Sequence, residues 1–146
     1  MSSRSDVALE KFSNGYNCAQ SVLYSFCDEL GMDRNAALKT ACGFGAGMGR
    51  KQGVCGAVSG GVLVIGSKYG RGERDTREAT EKTYGMIREL LDRFIEKHGS
   101  SLCRELLGGC DLSTEEGRKF FKENDLFCKT CKPCVETVVG IVERIL

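Results

Sequence analysis

Apolar residues recur every third or fourth position along most of the chain, the spacing of an amphipathic helix, and glycine or capping residues punctuate the pattern. Ser5 to Phe12 reads as a short helix ended by Asn14-Gly15. Asn17-Cys-Ala-Gln20 then pairs a cap residue with a glutamine three positions on, and Ala19, Val22, Leu23, Phe26 and Leu30 follow at helical spacing up to Gly31. Asp33 is a cap for a helix from Arg34 to Cys42 with Ala37, Leu38, Ala41 and Cys42 on its inner face. Asp75-Thr-Arg-Glu78 reads as a capping box opening the longest helix, to about Lys97, whose Ala79, Thr83, Ile87, Leu90, Leu91 and Phe94 form one apolar face. The charged face opposite (Arg77, Glu81, Lys82, Arg88, Glu89) reads as solvated. Ser100-Ser-Leu-Cys103-Arg-Glu-Leu-Leu-Gly-Gly begins a further short helix with Cys103 in its first turn, and Ser113-Thr-Glu-Glu116 opens another through Phe120 and Phe121. The last runs from about Cys131 to Leu146, with Val135, Val138, Val139, Val142 and Leu146 along one side and Cys131 in line with them. Pro133 is tolerated in its first turn, where the N–H groups lack helical partners.

One segment breaks the pattern. From Gly53 to Ser67 there is no charge, and in a helix from Val54 to Tyr69 the residues Val58, Val62, Leu63, Val64 and Ile65 surround the axis. A helix apolar on all sides is buried. Gly56, Ser59, Gly60 and Gly66 would let neighbouring helices approach it closely, and a glycine-rich loop from Gly43 precedes it. No strand shows convincing alternation. The expected fold is all-α: one domain spanning residues 1–146, a compact bundle of about seven to eight helices around a buried, glycine-rich central helix.

The 146 residues are enough for a core that needs no disulfide staples. A formal net charge of +1 without basic or acidic blocks gives no footprint for nucleic acid or anionic lipid. No run reaches the roughly 18 apolar residues of a membrane span, and the N-terminus leads into no signal-like segment. The expected compartment is therefore a reducing cytoplasm.

Against that background the nine cysteines change the picture: Cys18, Cys27, Cys42, Cys55, Cys103, Cys110, Cys128, Cys131 and Cys134. In a reducing compartment such density points to metal or redox chemistry more than to structural disulfides, and an odd number cannot pair fully. Cys18, Cys55, Cys103 and Cys131 each fall in the first turn of an expected helix. Free N–H donors and the positive end of the helix dipole there favour a thiolate, the form that attacks and binds metal. Convergence of these four ends around Cys55 would create an electropositive pocket of thiolates. They are the candidate catalytic residues, and with Cys134 the candidate metal ligands. Gly53, Gly56 and Gly60, flanking Cys55, are the candidate cofactor-binding positions. Cys27 and Cys42 read as core residues. His98, the single histidine, reads as a structural residue at a helix end.

The same residues carry a family resemblance. Asn17-Cys-Ala-Gln-Ser-Val-Leu23, the glycine loop, Val54-Cys-Gly-Ala-Val-Ser-Gly-Gly61, Cys103-Arg-Glu-Leu-Leu-Gly108 and a late cysteine before an apolar helix together resemble the C_GCAxxG_C_C family, described as redox-active. The resemblance spans nearly the whole chain. It implies that the four family cysteines are Cys18, Cys55, Cys103 and Cys131, with Cys134 competing for the last place. It also implies electron transfer or thiol chemistry in the cytoplasm of a bacterium or archaeon. The domain is similar to part of split-Soret cytochrome c, which carries haem and an iron–sulfur centre. No Cys-x-x-Cys-His segment is present, so c-type haem is not expected.

Three readings stay open. A redox protein, an oxidoreductase or electron carrier with a partner protein still to be named, would use four thiolates for an iron–sulfur cluster or a disulfide such as Cys131–Cys134. A metal-binding module without redox turnover would use Cys128-x-x-Cys131-x-x-Cys134, with Cys103 or Cys110 as fourth ligand, to hold structural zinc. An assembly protein would use its cysteines as core filler and its small-residue helix as a homodimer interface. The glycine loop lacks the phosphate-loop pattern, and no paired carboxylates stand out.

Overall fold

The computed structural model describes residues 2–146. The chain folds as α1 (Arg4–Ser13), α2 (Cys18–Ser25), α3 (Cys27–Leu30), α4 (Arg34–Ala41), α5 (Gly45–Met48), α6 (Gly56–Tyr69), α7 (Arg77–His98), α8 (Cys103–Leu106), α9 (Glu115–Glu123) and α10 (Lys132–Ile145). A 3-10 turn, Cys42–Phe44, precedes α5, and a π-helical turn, Phe127–Cys131, leads into α10. Among the described residues β pairing is limited to one isolated antiparallel bridge, Val54 to Leu102. The expected all-α class is what forms, with α3, α5 and α8 as single-turn additions. Among the described residues no helix is long and apolar enough to cross a membrane.

Most of α6 before its last turn lies in the core: Gly56, Ala57, Val58, Ser59, Gly60, Gly61, Val64 and Ile65 are buried. Helices α2, α7 and α10 pack around it. Glycines set the separations. A Cβ on Gly60 would stand 2.8 Å from the Ala19 carbonyl oxygen and from Val22 Cβ on α2. One on Gly61 would stand 2.8 Å from Val138 Cγ1 and 2.9 Å from Leu90 Cδ2, on α10 and α7. Gly66, expected to serve the same purpose, faces open space, and Gly61 takes that role instead. Fully buried Leu23, Phe26, Leu90, Phe94, Val135, Val138 and Val142 complete the core.

Most boundaries follow local chemistry. Asn17 Oδ1 accepts from the Gln20 N–H, and Gln20 Oε1 from that of Asn17, the reciprocal box read from the sequence. Asp33 caps α4 through the Ala36 N–H, and Gly31 and Gly99 end α3 and α7 in left-handed conformations. Several boundaries differ from expectation: α6 starts at Gly56, two residues later than expected, α4 ends at Ala41, and four further differences have a local cause. The helix after Asn17 breaks at Phe26. There the Ser25 hydroxyl donates to the Val22 carbonyl, and the Arg4 guanidinium takes the Ser25 carbonyl while stacking over the Phe26 ring. The cap before α7 is Thr76, because Asp75 turns back to accept the Gly72 N–H. The cap of α9 is Thr114, while Ser113 bonds Asp111. Finally, α10 starts one residue later, behind the π turn. Pro133 has no N–H to give and its ring crowds the preceding carbonyls, so the ladder widens just before it.

Candidate functional site

Five of the nine cysteines line one cavity of about 160 Å³: Cys18, Cys55, Cys103, Cys131 and Cys134. Each arrives by a different local route. Cys18 is the first residue of α2, placed by the Asn17 box. Cys55 is the N-cap residue of α6 rather than part of its first turn. Cys103 begins α8, Cys131 ends the π turn, and Cys134 sits in the first turn of α10. Apolar side chains fill the gaps, chiefly Phe12, Leu106, Leu112, Phe121 and Phe127. The Phe12 and Phe127 rings lie 4.4 Å apart and tie α1 to the π turn.

Backbone hydrogen bonds fix two of the sulfurs relative to each other. The Cys55 N–H donates to the Ser101 carbonyl at 2.7 Å, and the Cys103 N–H to the Gly53 carbonyl at 2.7 Å, on either side of the Val54–Leu102 bridge. The loop before Cys55 is unusually wound. Ala46, Met48, Arg50 and Gln52 all hold positive φ although none is glycine. Left-handed backbone costs an L-residue about 1–2 kcal/mol. The surroundings hold the segment in place: Gln52 N–H donates to the Ala46 carbonyl, Gly53 N–H to the Gly47 carbonyl. Gly47 is required there, because a Cβ would lie 2.5 Å from the Gly53 nitrogen.

Gln52 was not singled out from the sequence, yet it organises the far wall. It is buried, its Nε2 donates to the Cys110 carbonyl at 2.6 Å, and its Oε1 accepts from the Leu112 N–H at 2.7 Å. Its side-chain amide also favours negative charge on the Cys103 sulfur. A glutamine inside a glycine-rich loop was the one signal available, since that loop offers few other side chains.

The electrostatics reverse the expected activation by helix ends. Burial, then the neighbouring Cys55, pushes the Cys18 thiol up to about 11, against N–H groups of Ala46 and Ala19 that pull it down. Burial, then Cys55 and Cys18, pushes Cys103 up to about 12, with Gln52 opposing. Cys131 is raised by burial and by the Cys18, Cys55 and Cys103 sulfurs. Cys55 is raised well above its ordinary value, first by the neighbouring Cys134 thiol, then by burial, with the Ala57 and Val58 N–H groups opposing the shift. Helix-end effects are worth about 0.3–1 kcal/mol, less than one pKa unit, whereas burial shifts pKa by up to about 3–5 units. Desolvation wins.

These shifts carry a pH prediction for the metal-free, reduced protein. The folded state keeps the Cys18 and Cys103 protons to about 11 and about 12, while the unfolded chain releases them near 9. Between those values the native state binds more protons, so this contribution to stability is complete below pH 9 and lost as pH rises through the folded values. Urea midpoints should fall steeply above pH 9. Iodoacetamide at pH 8 should label the exposed Cys42 and Cys128 well before any cavity thiol. Equal labelling of all nine would contradict the assigned burial.

The remaining candidates lie elsewhere. Of the three glycines, Gly56 lines the cavity, Gly53 contributes its carbonyl to Cys103, and Gly60 packs against α2. Cys27 is buried as expected, its thiol near the Leu23 carbonyl. Cys42, expected in the core, is exposed, because the chain leaves α4 in a 3-10 turn at that residue. Cys110 donates to the Gly117 carbonyl at 3.1 Å. His98 shares a 2.9 Å hydrogen bond with Thr137 Oγ1 and packs on Phe94, away from the cavity. Burial, then Lys97, lowers its pKa, so it is held toward the neutral form instead of the cation expected at a helix end.

Among the described residues no three His, Cys, Asp or Glu side chains are placed to hold one metal ion. Cys128, which the zinc reading needs, is exposed and does not line the cavity.

Residues 16–145 match the sequence model of a family described as "Putative redox-active protein (C_GCAxxG_C_C)". No curated protein and no solved structure matches the chain.

Proposed function

Because the chain belongs to the C_GCAxxG_C_C family, described as redox-active, we propose that the sulfur-lined cavity is its redox centre. In this reading Cys18, Cys55, Cys103 and Cys131 hold an iron–sulfur cluster that exchanges electrons with a partner protein in the cytoplasm. One observation carries the reading: four thiols from segments far apart in the chain surround a single apolar cavity, together with a fifth.

The donor set fits such a group. Iron–sulfur clusters are held by cysteine thiolates, typically four. A tetrahedral zinc ion instead needs its sulfurs about 2.3 Å from one point. The cavity of about 160 Å³ between the thiols offers room for a body wider than one ion. When bound, the cluster would supply a one-electron donor and acceptor. The chain's own part is to tune and shelter it. N–H groups of Ala46 and Ala19 aimed at the Cys18 sulfur, and of Ala57 and Val58 at the Cys55 sulfur, favour negative charge on those atoms. The Gln52 side chain does the same for Cys103. The shell of Phe12, Leu106, Leu112, Phe121 and Phe127 excludes water. Each thiol must give up its proton on ligation, so uptake of iron should strengthen as pH rises.

Anaerobic reconstitution with ferrous iron and sulfide tests the assignment. The expected result is a visible absorption band with matching iron and acid-labile sulfide. It should be lost in serine variants of Cys18, Cys55, Cys103 or Cys131 and kept in Cys42→Ser and Cys128→Ser. A protein that takes up zinc but no iron, or that stays colourless with all thiols reduced, would overturn it.

A further inference from the structure

A second, larger cavity lies on the other side of α10: a cleft of about 450 Å³ lined from α1, α7 and α10. The α10 residues in its wall, Pro133, Glu136, Thr137, Gly140, Ile141 and Arg144, follow the i, i+3, i+4, i+7 spacing of one helix face. Cys134, Val135, Val138 and Val142 turn the other way, into the core, and the cleft shares no lining residue with the sulfur cavity. Gly140 keeps the middle of the cleft open, since even a Cβ there would meet nothing within 4 Å. Thr137 is a buried polar residue of its wall, and its Oγ1 shares a 2.9 Å hydrogen bond with His98 Nε2. A hydroxyl both donates and accepts, so that bond leaves it capacity for a second partner. Charge converges on the same space. Arg93 and Lys97, four positions apart on α7, line it together with Arg144 and with Ser5, in the first turn of α1, where N–H groups lack helical partners. Glu136 is the one carboxylate of the lining, so three cations and one anion leave it with a charge of +2. Among the described residues Arg93 pairs with Glu89 at 3.1 Å, while Lys97, Arg144 and Glu136 have no ion-pair partner.

We propose that this cleft binds a small dianion, a phosphate monoester or a dicarboxylate, with Arg93, Lys97 and Arg144 on its charged groups, the Thr137 hydroxyl as a further donor and Pro133 and Ile141 against its carbon skeleton. The volume lies within the roughly 300–1,000 Å³ of small-molecule sites. The planar fork of a guanidinium matches the paired oxygens that carboxylate and phosphate have in common, and the lysine adds a compact point charge. The charge of the lining equals and opposes that of the ligand. Concavity favours a small molecule over a flat protein surface, because the buried Thr137 hydroxyl is within reach only of a group that enters the cleft. The site stands apart from the cluster reading above and needs neither iron nor a free thiol.

The test titrates the full-length, reduced protein with inorganic phosphate and with succinate, against chloride at equal ionic strength. Calorimetry should show saturable binding of at least one dianion. The imidazole signals of His98, the single histidine, should shift along the same curve, because His98 holds the Thr137 hydroxyl. Tighter binding of phosphate supports a phosphate-bearing ligand, and tighter binding of succinate a dicarboxylate. The Kd should rise about tenfold in Lys97→Ala and in Arg144→Ala, the loss expected for one charge-assisted hydrogen bond. It should stay unchanged in Arg88→Ala, which removes an exposed cation of α7 that does not line the cleft. Gly140→Leu, which fills the cleft, should abolish binding while the helical circular dichroism spectrum is kept. No saturable binding of either dianion, equal weakening by Arg88→Ala, or undiminished binding in Gly140→Leu overturns the proposal.

Discussion

Replacing Gly56 by alanine should dismantle the sulfur cavity and destabilise the fold by about 3 kcal/mol. Gly56 opens α6 beside the cavity, and the Cys18 sulfur lies where its Cβ would go. The same Cβ would stand 2.9 Å from the Phe44 carbonyl oxygen and 3.5 Å from the Ala19 nitrogen. Two of these neighbours are backbone, and the third is a sulfur placed by a capped helix, so none can yield without moving α2 or the wound loop. Alanine's better helix propensity returns at most about 1 kcal/mol. Gly140→Ala is the matched control. It lies inside α10, and a Cβ added there would meet nothing within 4 Å, so its expected change is a gain of up to about 1 kcal/mol. Urea unfolding measures both, and iron uptake should vanish in Gly56→Ala alone. Equal stability of the two variants would mean that α2 and α6 do not approach each other this closely.

Gln52→Ala should cost about 2–4 kcal/mol, since it leaves a buried carbonyl and a half-buried N–H without partners, each worth about 1–3 kcal/mol. Those groups are the Cys110 carbonyl and the Leu112 N–H, and the Gln52 carbonyl also accepts from the Arg104 N–H. Alanine keeps the left-handed backbone no worse than glutamine does, so the loss isolates the side-chain bonds. Gln52→Glu retains an acceptor for Leu112 but cannot donate to Cys110, and it brings a carboxylate toward Cys103. It should fall between wild type and alanine at best. Trypsin supplies a second readout: cleavage after the exposed Arg104 should accelerate once the segment that follows α8 loses these side-chain bonds. Unchanged stability together with unchanged cleavage would show that water replaces the amide at no cost.

Features settled by neighbours in sequence were legible. The Asn17–Gln20 box, the Asp33 cap and the Gly31 and Gly99 ends depend on atoms within a turn of themselves. The uncharged stretch of α6 pointed to burial for the same reason, and its first six residues with Val64 and Ile65 are buried, while Val62 and Leu63, expected inside, are half-buried. Features settled by distant partners were not legible. Gln52 acts on residues 58 and 60 positions away. Asp75 looked like a cap until Gly72 offered it an N–H. Cys27 and Cys42 looked alike, and only the exit path of α4 separates them. Helix ends correctly located Cys18 and Cys103 along the chain but predicted the wrong sign for their acidity, because the larger energy, desolvation, depends on how the whole chain closes over them.

The cavity sulfurs are spread along the chain, from Cys18 in α2 to Cys134 in α10. A chain still being made therefore owns no finished centre: until the stretch around Cys131 has left the ribosome, the earlier thiols have no complete ring to join. Any group held by all of these sulfurs would have to wait for α10 to fold, and a product truncated before it would carry no complete ring.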